Sequence, residues 1–160
     1  MIEALPTVLK EIDCTLIIAG EFYDDKQQYL DLIAEAGIQS SVRVVDQYIP
    51  NEEVPHYFKS ADVVVLPYTS ATQSGIVQIA FGLGVPVITT DVGGLPEAVD
   101  HGGTGLIVES ASATSLANAI LRYYSDRLES KFRAAIEGQT DRFSWAEEVG
   151  FIDEFLQSDD

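Results

Sequence analysis

Five short apolar runs recur at regular intervals along the first two thirds of the chain. They occupy residues 15–20, 42–46, 62–67, 85–90 and 104–108, and valine, isoleucine and leucine dominate them. Each run is apolar almost throughout, without the alternation of polar and apolar residues that a half-exposed strand shows. This pattern is typical of parallel strands that are covered by helices on both faces.

Stretches with helical periodicity separate these predicted strands, and after the last strand the chain becomes wholly helical. The alternation predicts an α/β fold, with one Rossmann-like, doubly wound parallel sheet and flanking helices, as one half of a larger two-domain fold would have. The predicted helices span residues 25–36, 51–59, 74–83, 95–99, 112–124, 127–136 and 144–156.

A helical segment, "IEALPTVLKEI", precedes the first predicted strand. In sheets that wind outward from their centre, the first strand is usually the middle one. Two explanations stay open: the sheet is rearranged, or the sequence begins after a strand that belongs to it. We therefore expect one domain over residues 1–160. If the second explanation holds, the sheet has open strand edges. Open strand edges invite pairing with another chain, so a homodimer is a possible assembly.

The charge balance narrows the choice of partners. The chain has 26 acidic and 9 basic residues among 160, a formal net charge of −17. Nucleic acids and anionic membranes require a cationic surface, so neither is an expected partner. No apolar stretch approaches the roughly 20 residues of a membrane span, and the N-terminus lacks the basic region of a signal peptide. The expectation is a cytoplasmic protein in which Cys14, the only cysteine, is buried and inert.

The loop "YTSATQSG" follows the third predicted strand and leads into a helix. Ser74 suits the N-cap, and Gly75 allows a ligand to approach the backbone closely. The first turn of a helix presents unpaired N–H groups and a partial positive charge, which together bind anions. No Lys or Arg occurs in residues 60–121, so an anion here would depend on backbone dipoles. Gly93 and Gly94 follow the next strand and would add N–H groups nearby. The alternative is that these residues only form turns and a cap.

Several other chemistries find no support in the sequence. "TQSG" is not the G-x-S-x-G turn of hydrolases, and neither G-x-G-x-x-G nor a P-loop motif is present. No cluster of His and Cys suggests a metal, and no cofactor is expected. His56 is predicted on a helix surface, and His101 is predicted in a loop near the proposed anion site, where a turn residue is the favoured interpretation. A flavodoxin-like regulatory domain is disfavoured because no acidic cluster with a downstream lysine follows the strands.

The segment from Ser41 to Glu109 resembles the C-terminal, donor-binding domain of retaining glycosyltransferases of the GT-B fold, the "glycosyl transferases group 1" family. The resemblance is carried, in order, by "LIIAGE", "VDQYIP", "YFKSADVVVLPY", "GVPVITTDVGGLPE" and "GTGLIV". "FSWAEEVGFIDEFL" matches the closing helices, so the resemblance extends over residues 1–157. Each piece is weak alone, and the ordered combination is specific.

The resemblance implies transfer of a sugar, with retention of anomeric configuration and without a metal, from a nucleotide-activated donor such as a UDP- or GDP-sugar. By resemblance, the N–H groups of Gly75, Ile76 and Val77 bind the donor's pyrophosphate, and Gly93 and Gly94 shape the same wall. The loops "GEF" and "DQYIP" lie near the nucleobase and ribose, and polar residues beside the turn contact hydroxyls. The remaining candidate donor-binding residues are Gly20, Glu21, Phe22, Tyr48, Ile49, Thr72, Gln73, Ser74, Gln78 and Glu97.

The sequence departs from the family in two respects. Many members carry two glutamates eight positions apart around the turn, and these positions hold Ala71 and Ile79. The family's donor-site arginine and lysine, with its acceptor-binding N-terminal domain, lie upstream of any residue matched here. The chain is therefore predicted to be a truncated domain that is inactive alone and needs the missing domain or a second chain; its catalytic residue is unknown. The alternative is a noncatalytic α/β interaction module, or the inactive half of a split glycosyltransferase.

Overall fold

The computed structural model describes residues 1–22, 25–71, 75–110 and 112–139. Strands and helices alternate in the predicted order, and the predicted helix at 144–156 lies outside the described residues. The first helix is only one turn long, shorter than the helical segment "IEALPTVLKEI" in the sequence, and Pro6 lies in its first turn. The elements are α1 (Leu5–Val8), β1 (Leu16–Ala19), α2 (Lys26–Glu35), β2 (Val42–Val45), α3 (Val54–Lys59), β3 (Val64–Leu66), α4 (Gly75–Gly82), β4 (Val87–Thr90), α5 (Leu95–Ala98), β5 (Gly105–Val108), α6 (Ala113–Ser125) and α7 (Leu128–Glu137).

The described strands form two parallel sheets. β1 pairs with β2, with Leu16 opposite Val42, and β4 lies between β3 and β5, with Val87 opposite both Val64 and Gly105. The fold class is confirmed as a parallel, helix-flanked Rossmann-like arrangement. The single continuous sheet is not observed in the described residues, because β1 and β3 do not pair. A groove separates these two strands instead.

Two apolar clusters cover the two faces of the three-stranded sheet. On one face, Ile88 and Leu106 pack with α1, α6 and α7, where Phe132 and Tyr123 are fully buried. On the other face, Val87 packs with α4, α5 and the end of α7. All four residues of β4 are buried, as the prediction of strands covered on both faces requires.

That prediction is wrong for β1. Its burial alternates: Leu16 and Ile18 are half-buried, while Ile17 and Ala19 are exposed. Among the described residues, helices cover one face of this strand, and on the other face the side chain of Ile17 is 42% exposed. The prediction for Cys14 was also too strong, since the thiol is only half-buried. Its partial burial, with a smaller effect of Asp13, raises the pKa of the Cys14 thiol.

Side chains from α6 and α7 fix the amino ends of β3 and β4. The Arg133 guanidinium donates hydrogen bonds to the Gly84 carbonyl at 2.8 Å and the Ala61 carbonyl at 3.2 Å, and it pairs with Glu129 at 2.9 Å. The Tyr123 hydroxyl donates to the Asp62 carbonyl at 2.8 Å. The amino ends of these strands are therefore tied down, and the loops after their carboxyl ends are available for binding.

Candidate functional site

The loops after the carboxyl ends of the strands comprise residues 20–22, 46–49, 67–71, 91–94 and 109–110, and together they are called the carboxyl edge. Parallel sheets bind ligands at this edge, where the loops vary without disturbing the core. Every candidate residue predicted from the sequence falls in these loops, in α4 or α5, or among residues 72–74. Thr72, Gln73 and Ser74 lie outside the described residues.

Hydroxyl groups tie the carboxyl ends of β3, β4 and β5 together. The Tyr68 carbonyl, just after β3, accepts a hydrogen bond from Thr90 Oγ1 at 2.6 Å and one from Ser110 Oγ at 3.5 Å. Thr89 Oγ1 donates to the Leu66 carbonyl at 3.4 Å. These bonds run between three strands, so they hold the start of the loop that leads into α4. Sequence reasoning missed this tie; the signal was "TT" at the end of a buried strand, where a valine pair would otherwise be expected.

α4 begins at Gly75 on the carboxyl edge. Val77 is completely buried and anchors the first turn to the core, whereas Gly75 and Ile76 are exposed and Gln78 is half-buried. The first four N–H groups of a helix have no acceptor inside it, and they carry the positive end of the helix dipole. The helix has no acidic residue in its first turn to neutralise that dipole. A Cβ at Gly75 would meet open space, so the backbone here is accessible.

The glycine pair follows β4 on the same edge. Gly93 has a φ of +54°, a left-handed conformation that favours glycine, and Gly94 is the N-cap of α5. The loop is braced by Val92 N–H donating to the Thr90 carbonyl at 3.0 Å and Asp91 N–H donating to the Val108 carbonyl at 2.8 Å. The structure thus brings this turn and the start of α4 to neighbouring loops of one sheet.

Glu97 occupies a different neighbourhood from the start of α4. Its exposed side chain lines a surface pocket of about 600 Å³ beside β5, together with Asp100 and His101. His101 lies at the amino end of β5, where its Nδ1 accepts the Ile107 N–H at 2.9 Å. That bond satisfies a backbone donor of β5. The assignment of Glu97 to the donor site stays a prediction.

The loops after β1 and β2 are joined to each other. Lys26 Nζ lies 2.8 Å from Asp46 Oδ2. The hydrogen bond from Lys26 lowers the pKa of the Asp46 carboxyl, and desolvation opposes it with a smaller effect. Gly20 has a φ of +127° and its N–H donates to the Val45 carbonyl at 3.1 Å. The predicted "GEF" and "DQYIP" loops therefore form one unit.

Aromatic side chains flank this unit. The Phe22 and Tyr29 ring centroids are 5.2 Å apart, and Tyr48 is 65% exposed, the largest value among the exposed large apolar and aromatic residues. Glu21 is exposed and Ile49 is half-buried. Sequence reasoning named these loops but missed Lys26 and Asp46. Their signal was positional: an N-cap Asp25 followed by lysine after one strand, and aspartate directly after the next.

In the described chain, acidic side chains outnumber cations at the carboxyl edge, whose loops contain Glu21, Asp46, Asp91 and Glu109. Lys26 is a cation there and is paired, while Lys131 and Arg133 contact carbonyl groups at the opposite, amino end of the sheet. No group of three or more His, Cys, Asp or Glu residues suited to a metal occurs in residues 1–22, 25–71, 75–110 and 112–139. Over the same residues, none of the helices has the length and apolar character needed to cross a membrane.

Comparison with known proteins agrees with this geometry. Residues 1–126 match the family model described as glycosyl transferases group 1. A curated relative, D-inositol 3-phosphate glycosyltransferase of Pseudarthrobacter chlorophenolicus, is 36% identical over 140 residues, which cover 84% of this chain and 33% of the relative. The chain therefore spans about a third of the length of that relative.

Solved structures give the same result for the fold. The C-terminal domain of a glycosyl transferase group 1 family protein from Francisella tularensis superposes with a TM-score of 0.78 at 22% identity, covering 90% of this chain and 77% of that domain. Anabaena Alr3699/HepE in complex with UDP-glucose has a TM-score of 0.75 at 24% identity, covering 98% of this chain and 44% of that one. With its family match over residues 1–126 and its helix-flanked parallel strands, the chain belongs to the glycosyl transferases group 1 family.

Proposed function

We propose that this chain binds the nucleotide diphosphate of an activated sugar, a UDP- or GDP-sugar, and contributes the donor side of a retaining glycosyl transfer. The observation that carries the proposal is the start of α4: exposed backbone at Gly75, on the carboxyl edge, with no acidic residue in the first turn. Family membership supports sugar transfer, and the UDP-glucose complex of the Anabaena neighbour supports this class of donor.

The chemistry required of the site is stabilisation of a leaving group. When the sugar departs, negative charge accumulates on the diphosphate, and fixed N–H donors aimed at that charge lower the barrier. The N–H groups of Gly75, Ile76 and Val77 are held by the buried Val77 side chain, so little reorganisation is needed during reaction. Gly93 and Gly94 provide a second section of backbone on the neighbouring loop.

The joined loops after β1 and β2 supply the nucleoside part of the proposed site. Tyr48 and Phe22 offer aromatic surface, and the Lys26–Asp46 pair holds the two loops at one spacing. Gln78, with Thr72 and Gln73, supplies amide and hydroxyl groups suited to sugar or ribose hydroxyls. No catalytic residue is assigned, since Ala71 and Ile79 occupy the positions where many family members have glutamates.

The whole reaction needs more protein than this chain contains. The chain spans about a third of the length of its curated relative, so we assign acceptor binding to the remainder of a longer enzyme or to a second chain. We expect residues 1–160 alone to bind nucleotide weakly and to transfer no sugar. Each missing charge-assisted hydrogen bond to the diphosphate costs about 1.5–3 kcal/mol.

A second candidate is a noncatalytic interaction module, and one observation favours it. The groove between β1 and β3 leaves two strand edges without a partner in the described residues, as a surface that receives another polypeptide would. The two candidates differ in one property: only the first requires a nucleotide to contact the start of α4.

The test is titration of the ¹⁵N-labelled chain with UDP and with GDP, followed by NMR. We expect the amides of Gly75, Ile76, Val77, Gly93 and Gly94 to shift, while amides of α7 at the amino end stay unchanged. If neither nucleotide moves the α4 amides at millimolar concentration, the donor-binding proposal is wrong and the interaction module becomes the better explanation.

A matched pair of variants isolates the backbone donor. Gly75→Pro removes one N–H at the first helical position, where proline is tolerated, and Gly75→Ala keeps the N–H and adds a Cβ that meets open space. Because the proline variant loses one charge-assisted bond, it should bind nucleotide at least roughly tenfold more weakly. The alanine variant should bind as the parent does. Equal affinity of all three would exclude this N–H as a ligand.

A further inference from the structure

Thr90, the last residue of β4, makes hydrogen bonds in two directions. Its Oγ1 donates to the Tyr68 carbonyl at 2.6 Å, in the loop that leads towards α4. Its own carbonyl accepts the Val92 N–H at 3.0 Å, in the loop that contains the glycine pair. One residue, only 3% exposed, therefore contacts both of the loops whose backbone N–H groups belong to the proposed diphosphate site.

The Thr90 hydroxyl is the closer of two donors to the Tyr68 carbonyl. Its distance of 2.6 Å lies at the short end of the range for O–H···O hydrogen bonds, whereas Ser110 Oγ reaches the same oxygen at 3.5 Å. Because Thr90 is buried, water does not readily take the place of its hydroxyl. The position of the Tyr68 backbone therefore depends more on Thr90 than on Ser110.

Tyr68 transmits this constraint to the start of α4 through packing. Its half-buried side chain packs against the apolar cluster that contains Val77, and Tyr68 and Ile76 line the same groove beside β3. Val77 lies in the first turn of α4 and is completely buried. A shift of the Tyr68 backbone therefore moves a residue against which the first turn of α4 rests.

The loop with the glycine pair is attached to the sheet by its backbone. The Asp91 N–H donates to the Val108 carbonyl at the end of β5 at 2.8 Å, and the Val92 N–H donates to the Thr90 carbonyl. Both bonds survive any change of the Thr90 side chain. The glycine pair thus keeps its place beside β4 and β5, while the loop that leads towards α4 is attached to β4 through the Thr90 hydroxyl.

We propose that Thr90 is a positioning residue for the diphosphate. Its hydroxyl sets the distance between the start of α4 and the glycine pair, so that N–H groups of both contact one ligand. Thr90 itself does not touch the ligand in this arrangement, which rests on the proposed function. An N–H···O hydrogen bond spans about 2.7–3.2 Å, so two groups of donors share one diphosphate only at a fixed spacing. A spacing that is set in advance also spares the ligand the cost of ordering the loops.

The size of a methyl group makes the role of this hydroxyl testable. Thr90→Val keeps the branched shape of the side chain and places a methyl group where Oγ1 lies. A carbon atom approaches a carbonyl oxygen no closer than about 3.3 Å, so the Tyr68 carbonyl must move away by roughly 0.7 Å from its present 2.6 Å. A displacement of this size takes an N–H···O bond out of its range. The variant should therefore lose a diphosphate contact at one of the two loops.

The experiment compares the parent chain with Thr90→Val, Thr90→Ser and Thr104→Val. Thr90→Ser retains the hydroxyl. Thr104 is the matched control, because it is also buried and its Oγ1 accepts the Asp100 N–H at 3.1 Å in the turn before β5, at the amino end of that strand. NMR titration gives the dissociation constants for UDP and for inorganic pyrophosphate, and urea unfolding gives the stability of each chain.

We expect Thr90→Val to bind UDP and pyrophosphate about tenfold more weakly, by the same factor, because the lost bond concerns the diphosphate that both ligands share. Thr90→Ser should bind both within twofold of the parent. Thr104→Val should lower the urea midpoint and leave both affinities unchanged. In the free Thr90→Val chain, the amide signals of Gly75 and Ile76 should already shift, since the spacing changes before any ligand binds.

Failure of this role and failure of the proposed function give different results. If the parent binds neither ligand, the proposed function is wrong and the positioning role falls with it. If the parent binds both and Thr90→Val binds them as tightly, the positioning role alone is wrong. Weakening that spares pyrophosphate, that Thr90→Ser does not correct or that Thr104→Val reproduces would overturn the role as well. Should Thr90→Val not fold, the same criteria apply to Thr90→Ala, which removes the hydroxyl without placing a methyl group against the carbonyl.

Discussion

The three-stranded sheet and the β1–β2 pair are built from strands that look alike in sequence but are buried to very different extents. VITT in β4 and LIIA in β1 are both short and uncharged, and isoleucine is at the second position of each. Ile88 in β4 is fully buried, while Ile17 in β1 is 42% exposed. Within the described ranges, β4 has two strand neighbours and two covering layers, whereas β1 has one strand neighbour and one covered face.

The difference shows that burial depends on what surrounds a strand rather than on its own composition. The hydrophobic effect rewards area removed from water, so two isoleucines contribute differently when only one has lost its water. The side-chain hydrogen bonds that hold the strand ends follow the same division between the two parts. The hydroxyl ties to Tyr68 and the Arg133 hydrogen bonds all lie in the three-stranded part.

The largest expected effect comes from truncating the two isoleucines. Ile88→Ala should reduce the free energy of unfolding by about 3 kcal/mol, because it leaves a cavity in a packed core. Ile17→Ala should cost less than about 1 kcal/mol, because the side chain is already largely hydrated. Urea denaturation followed by circular dichroism measures both. Equal losses would show that β1 is as well packed as β4 in solution.

The sequence alone predicted the order and type of the elements well. Strand and helix positions depend on local patterns, and α2, for example, was expected at 25–36 and is observed at Lys26–Glu35 with Asp25 as its cap. The covering of each strand was predicted less well, since an apolar run such as TLIIAG is the same whether or not a neighbour is present. Burial of Ile17 needs a partner that the run itself does not specify.

The candidate site was predicted in part for the same reason. Gly75 and the Gly93–Gly94 pair stood out because glycine before a helix has a local cause. The Lys26–Asp46 pair, with its partners 20 residues apart, depends on two loops that only the fold brings together. Similarly, the contact of Thr90 with the Tyr68 carbonyl could not be derived before the register of β3 and β4 was known.

A second variant tests how tightly the three-stranded sheet is packed. A Cβ on Gly105 would collide with the Val87 carbonyl and would approach Val99 Cγ1 to 2.8 Å, so neighbouring atoms must move. Gly105→Ala should therefore destabilise the fold by about 2 kcal/mol. Gly138→Ala is the control, because its Cβ would meet only ordinary contacts at 3.6 Å. Should thermal unfolding show no difference between these variants, β4 and β5 are not held at the observed spacing.

Arg133 tests the ties at the amino ends of β3 and β4. Arg133→Ala removes the bonds to the carbonyls of Gly84 and Ala61 and should cost about 1.5 kcal/mol, the scale of a single bond to a charged donor. Arg122→Ala is the control, since the Arg122 side chain pairs with Asp126, the C-cap of its own helix, in an exposed pair. Hydrogen exchange should speed up in β3 and β4 and stay unchanged in β1 and β2. Faster exchange spread over all five strands would contradict this local role.

The smallest effect concerns the Lys26–Asp46 pair, a side-chain contact of the β1–β2 part. Lys26 lowers the pKa of Asp46 in the folded chain, so the pair stabilises the fold above the unfolded value of about 3.9, and this stabilisation is lost as the pH falls through the lower folded value. Lys26→Met should return the Asp46 pKa towards its ordinary range, as NMR titration of the carboxyl carbon would show. Lys10→Met removes the same charge at an exposed position elsewhere and should leave it lowered. If the Asp46 pKa is the same in all three chains, the Lys26–Asp46 pair does not form in solution, and the two loops are then joined by backbone contacts such as the Gly20 N–H bond to the Val45 carbonyl rather than by this side-chain pair.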